Sequence, residues 1–193
     1  MDAKGQKSEV TAKANLGLMK EGAVFIQRGV SPGTLWVAEG VETALSVAKA
    51  QPGAAVLASL SVSQLKGIPV GPDIQKVVIC ADNDGSQSKT KQAILSAVEH
   101  HLSEGRQVFI AMPYGSQKCD FNDLLKQGGI PAVQASLEKM VEIKNVDSLK
   151  VQEPRLDIVL QKIREDSIQK NINIQSQNVP TQKQRTSTQE MER

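Results

Sequence analysis

The chain has 193 residues, 39% hydrophobic and 23% charged, with a formal net charge of +2. That is enough for one domain with a packed core plus extensions, and the near-neutral balance excludes any argument for nucleic acid from bulk charge alone. No apolar stretch approaches the roughly 20 residues needed to cross a bilayer, and the polar opening residues lack a signal-peptide core, so a cytoplasmic location without a membrane partner is expected.

The charge is spread unevenly: residues 1–149 hold 15 basic and 15 acidic side chains, residues 150–193 hold 8 and 6. Aromatic residues make up only 3%, so the core must be built from Val, Ile, Leu and Ala, which favours an α/β architecture. Cys80 and Cys119 match no zinc or redox spacing, and Cys80 sits in an apolar run as a small hydrophobe.

Residues 1–15 are expected to be flexible. Four apolar runs of strand length then punctuate the chain: Thr34–Ala38, Ala54–Leu60, Lys76–Ala81 and Gln107–Met112. Each is too short and too continuously apolar for a surface helix, and each predicts a strand buried on both faces. Between the first two, Val41, Ala44, Leu45 and Ala48 fall at i, i+3, i+4 and i+7, a helical stripe. A short helix fits between the second and third runs. Ile94, Ala97, Val98 and Leu102 mark a helix between the third and fourth, in which His100 and His101 have no assigned role. Strands alternating with helices in this order imply a mainly parallel, four-stranded sheet flanked by helices. Asp120 is placed to cap a further helix through Leu124 and Leu125 to Gln127, stopped by Gly128-Gly129. Val133, Leu137, Met140 and Val141 mark another. The predicted domain covers residues 16–145. Residues 146–166 form an amphipathic extension with Leu156, Val159, Leu160 and Ile163 on one face. Residues 167–193, rich in Gln, Asn, Ser and Thr, cannot bury enough surface to offset their ordering entropy and are expected to be disordered.

In an open parallel sheet, ligands bind beyond the carboxyl ends of the strands. Just there the sequence places acids. Glu39-Gly40 follows the first run, Asp82-Asn83-Asp84-Gly85 follows the third, and Asp120-Phe121-Asn122-Asp123 lies beyond the fourth. Gathered carboxylates repel one another, which raises their pKa values or requires a cation. Hard oxygen donors read as having no nearby Cys or His suit Mg²⁺, or Mn²⁺, rather than zinc. Each cluster also has a plainer reading: Glu39 as a first-turn acid favoured by the helix dipole, the Asp82 segment as a turn, Asp120 and Asp123 as caps and surface acids. The Asp82 segment is not an EF-hand, because Gln87 and Ala93 stand where Gly and Glu are required. No phosphate loop of the G-x-x-x-x-G-K type is present.

Glu39-Gly40-Val41-Glu42-Thr43-Ala44-Leu45-Ser46, Val78-Ile79-Cys80-Ala81-Asp82-Asn83-Asp84 and Asp120-Phe121-Asn122-Asp123-Leu124-Leu125 together resemble the Toprim domain. The version they resemble is that of plasmid and phage primase-helicases and conjugative-transfer relaxases, and the likeness runs from about Leu16 to Val141. It implies Glu39 as general acid or base in phosphodiester transfer and Asp82 and Asp84 as Mg²⁺ ligands. Asp120 matches a further acidic position among the metal ligands, with Asp123 and Asn122 as possible accessory residues. Asn122 stands where bacterial primases often have an acid, which weakens a full second metal site. The lead-in from Leu16 to Val24 resembles that of relaxase-type proteins and implies an edge strand, Ala23–Gln27, with Lys20 as a phosphate contact. Lys89 and Lys118, with Lys91 nearby, are candidates for a DNA or RNA backbone.

The implied function is nucleotidyl transfer or strand cleavage on DNA, or on an RNA primer and its template. No zinc cluster, helicase motor or second catalytic lobe is evident, and the only tyrosine is Tyr114. One module of a larger mobile-element protein, working with other modules or subunits, is therefore expected. The alternative is a catalytically weak module that contributes nucleic-acid or protein contacts.

Overall fold

The computed structural model describes residues 22–30, 33–83, 88–114 and 119–145. The expectations for residues 1–15, for the lead-in with Lys20, for the 146–166 stretch and for the 167–193 tail lie outside the described residues.

The elements in chain order are β1 (Val24–Gln27), β2 (Thr34–Ala38), α1 (Val41–Ala50), β3 (Ala55–Ala58), a 3₁₀ turn (Val62–Gln64), β4 (Lys76–Cys80), α2 (Ser88–Ser103), β5 (Gln107–Ala111), α3 (Phe121–Leu137) and β6 (Val141–Ile143). The sheet has six strands in the order β1-β3-β2-β4-β5-β6, not four. Its centre, β3-β2-β4-β5, is parallel throughout, and β1 and β6 close the two edges antiparallel. The expected edge strand at Ala23–Gln27 is present as β1. The sixth strand comes from Val141, which the apolar spacing had assigned to a helix. Helix α3 instead stops at Leu137, and Val141 pairs with Ile110.

Continuous apolar strands need cover on both faces, and they have it. Leu35, Val37, Val77, Ile79, Val108 and Ile110 point to a core shared with Ile94, Ala97 and Val98 of α2. Trp36, Ala38, Val56, Val78 and Cys80 point to the other, shared with α1 and α3. The alternation along each strand is the period-2 pattern of a pleated sheet. Val37, Val77, Val78 and Ile79 are fully buried.

Helix α1 is turned from its expected orientation. Leu45 is half exposed and Val41 is 38% exposed. The buried side is Thr43, Ala44, Ser46, Val47, Ala48 and Ala50. These small side chains let α1 approach the sheet closely and pack against α3, so close fit displaced the larger apolar residues from the interface. In α3, Gly129 breaks the helix at φ 67°, ψ −167°, a conformation open only to glycine, and Pro131 opens the second half. The expected stop at Gly128-Gly129 is thus a kink between two halves.

His101 has a role that its sequence context did not suggest. It is fully buried and takes the last place in the α2 stripe of Ile94, Ala97 and Val98. Its Nε2 lies 3.1 Å from the Leu65 carbonyl, and Arg106 approaches Nδ1 at 3.3 Å. A guanidinium can only donate, so Nδ1 accepts, and the proton sits on Nε2 and is donated to Leu65. Burial, opposed in part by this bond, holds the imidazole pKa down at about 4; Arg106 and His100 push the same way and Glu104 against it. The folded chain therefore keeps His101 neutral, while the unfolded chain takes up a proton near the ordinary 6.5. Stability from this group is complete above pH 6.5 and erodes as pH falls toward about 4. Urea unfolding should show a loss of about 2 kcal/mol between pH 7 and pH 5, and this loss should be much smaller in His101→Gln.

Candidate active site

The site grows from a reversal in strand order. From β2 the chain crosses through α1 to β3 on one side; from β4 it crosses through α2 to β5 on the other. The two helices leave on opposite faces of the sheet. A crevice opens at the carboxyl ends of β2 and β4, the usual ligand position in such sheets.

Ala38 and Cys80 are register partners at the ends of those strands. Glu39 follows Ala38 directly, and Asp82 follows the β4 end with one residue, Ala81, between. Two acids separated by 43 residues in sequence thereby line one cleft of about 340 Å³, together with Gly40, Val41 and Leu60. Gly40 is the N-cap of α1 in extended conformation, with no side-chain cap bond. Leu60 has φ 65°, a left-handed conformation costly for a branched residue. Its N–H donates to the Glu39 carbonyl at 2.9 Å, and Ser59 N–H donates to Ala38 at 2.9 Å. These bonds prolong the β2–β3 ladder beyond its last pair and bring the Leu60 side chain to the wall of the cleft. Sequence reasoning did not single out Leu60, since only the backbone angle reveals it.

The third acidic cluster is brought to the same edge by a single backbone bridge. Asn83 N–H donates to the Cys119 carbonyl at 3.0 Å. Asp120 and Asp123 then form a reciprocal capping box at the start of α3: Asp120 Oδ1 accepts from the Asp123 N–H at 2.7 Å, and Asp123 Oδ2 accepts from the Asp120 N–H at 3.3 Å. Both acids therefore hold the helix end in place, the plainer of the two readings open to them. Asn122, between them, is half-buried in the first turn of α3.

The two cysteines report the field at this edge. Burial raises the Cys119 thiol pKa, and the charges of Asp123, Asp120 and Asp82 add to the rise. Cys80 is raised strongly by burial, then by Asp82. Both thiols stay protonated at neutral pH. Lys89 is exposed in the first turn of α2, and Lys91 is half-buried. Asp84 and Lys118 lie outside the described residues. Among the described residues no group of three or more His, Cys, Asp or Glu side chains gathers tightly enough to hold a metal by itself. Mg²⁺ commonly binds through one or two carboxylates plus water and substrate phosphate, and the Asp82 carboxylate, which shares its cleft with Glu39, fits that mode.

A family model described as a Toprim domain matches residues 34–130, half of the chain. The chain belongs to the Toprim family. The match takes in Glu39, Asp82, Asp120 and the strand pair between which the cleft opens. A solved structure of the DnaG primase catalytic domain bound to ssDNA is similar to this Toprim chain with a TM-score of 0.51 at 20% identity, over 72% of this chain and 46% of the other. The E. coli primase catalytic core is similar with a TM-score of 0.45 at 22% identity, over 63% of this chain and 39% of the other. At these identities the likeness is one of fold, and the chain spans less than half the length of either structure. No curated protein matches the chain.

The capping box separates two roles of Asp120. Asparagine caps as well as aspartate, so Asp120→Asn should unfold in urea within about 0.5 kcal/mol of the unaltered chain, whereas Asp120→Ala should lose about 1 kcal/mol. Equal losses in the two variants would show that the charge, not the cap, is what the fold uses.

Proposed function

We propose that this Toprim domain performs Mg²⁺-dependent phosphodiester chemistry on nucleic acid, either nucleotidyl transfer or strand cleavage, as a cytoplasmic module of a mobile-element protein of primase or relaxase type. The observation that carries this reading is the shared cleft of Glu39 and Asp82 at the reversal of strand order. The DnaG structure of the same fold holds ssDNA, which supports DNA, or an RNA primer on its template, as the partner.

Asp82, with Asp84 and Asp120, would hold the cation. Bound there, Mg²⁺ or Mn²⁺ supplies neutralisation of the charge that develops on the phosphoryl group. Glu39, fixed at the start of α1, moves the proton on or off the attacking or leaving oxygen. Leu60 and Val41 line the same cleft as that carboxylate. Lys89 and Lys118 would meet the nucleic-acid backbone, with Lys20 and Lys91 as further contacts. Asn122 and Asp123 would serve as accessory residues at the edge of the metal site.

The engagement of Asp120 and Asp123 in a helix cap favours one other reading: a catalytically weak module that supplies contacts to a transfer or replication complex. One set of measurements distinguishes the two. A ligand that binds only the folded state stabilises it by mass action, by about 2.7 kcal/mol at a hundredfold excess over its Kd. Thermal melts in millimolar Mn²⁺ or Mg²⁺ should therefore show a raised Tm that Asp82→Asn abolishes. In primer-synthesis and strand-cleavage assays, Glu39→Gln should lose activity by about 10²–10⁴-fold while keeping the metal-induced rise in Tm. A metal-induced rise without activity, equal in Glu39→Gln and the unaltered chain, would point to the contact module. An unmoved Tm in both would count against the metal site.

A further inference from the structure

We propose that Thr43 is a positioning residue for the candidate metal ligand Asp82; this inference rests on the reading of Asp82 as a cation ligand given above. Thr43 lies in the first turn of α1 and is only 2% exposed. Its hydroxyl donates to Asp82 Oδ1 at 3.4 Å, across 39 residues of sequence. The nearby Ser46 hydroxyl does what helix hydroxyls commonly do and donates to the Glu42 carbonyl within its own helix, at 2.9 Å. Thr43 instead reaches out of its helix to the loop that follows β4.

The position of that hydroxyl matters as much as its partner. A Cβ placed on Gly40 would lie 3.7 Å from Thr43 Oγ1, so the hydroxyl sits beneath the turn that presents Glu39. Helix α1 is held by β2, β3 and α3, whereas Asp82 stands beyond the end of its strand. One hydrogen bond thus references the Asp82 carboxylate to the element that positions Glu39. Threonine suits the task better than serine, because branching at Cβ restricts χ1 and keeps the hydroxyl aimed. Partners of this kind orient metal ligands, and their loss typically weakens metal binding by about 10–100-fold. At 3.4 Å the bond is long, so an effect near the lower end, about tenfold, is expected.

The test is Mn²⁺ binding to the full chain, titrated by electron paramagnetic resonance, for the unaltered protein, Thr43→Val and Thr43→Ser. Valine keeps the shape and removes the donor; serine keeps the donor. The expected result is an Mn²⁺ Kd raised about tenfold in Thr43→Val and restored to within about threefold by Thr43→Ser. Should Thr43→Val not fold, Thr43→Ala takes its place, since alanine is well tolerated in a helix. Unchanged Mn²⁺ affinity in the variant lacking the hydroxyl, or equal weakening in Thr43→Ser, overturns the positioning role while leaving the metal site standing. An unaltered chain that binds no Mn²⁺, matching Asp82→Asn, overturns the metal reading and this inference with it.

Discussion

The parallel pairing of β2 with β4 is the constraint on which the site depends. It is held by strands with no polar face: Val37 on one side, Val77, Val78 and Ile79 on the other, all excluded from solvent. Such strands can pair only inside a sheet covered on both faces, and the helices that cover them must leave their shared edge in opposite directions. The crevice is therefore a product of topology. A sheet built in simple sequence order would put β3 between β2 and β4, and Glu39 would stand about two strand spacings, roughly 10 Å, from Asp82. The observed order removes that strand and leaves the acids facing one cleft.

Electrostatics then limits what the cleft can hold. Glu39 and Asp82 share it, and Asp120 and Asp123 stand close enough for their charges to raise the Cys119 thiol. Burial, with the nearby carboxylates adding to it, keeps Cys80 and Cys119 protonated, and His101 lies in α2 with its ring on the Leu65 carbonyl. What remains is oxygen. A set of hard donors with surplus negative charge selects a hard divalent cation over zinc or copper.

Much of this arrangement was legible in the sequence, because both signals involved are local. Runs such as Thr34–Ala38 and Lys76–Ala81 announce buried strands by continuous apolar character, and the acids placed just beyond these two line a common cleft. The edge strand β1 followed from the resemblance. What escaped reading depends on contacts between distant segments. The face that α1 buries is decided by how closely small residues such as Ala44, Val47 and Ala48 can approach α3 and the sheet, not by where Leu45 falls in a heptad. Strand β6 is three residues long, too short for periodicity to separate from the end of a helix. The place of His101 required knowing that Leu65, 36 residues earlier, would present its carbonyl. The cap at Asp120 was legible in the sequence, but the answering bond from Asp123 that completes the capping box was not.

The charge of the cleft has a consequence for how a polyanion would be bound on the proposed reading. Phosphate approaching Glu39 and Asp82 meets like charge, and the exposed Lys89 at the start of α2 contributes at most a screened attraction. A divalent cation between the carboxylates and the phosphate reverses the sign of that encounter. The cation and the nucleic acid would then each raise the affinity of the other by the same factor, as linkage demands. Helix α1 enters this coupling twice, through the turn that presents Glu39 and through the Thr43 hydroxyl on Asp82. Its rigidity comes from packing small side chains against β2, β3 and α3. The close fit that leaves Leu45 and Val41 partly exposed therefore also fixes the helix from which the Thr43 hydroxyl reaches Asp82.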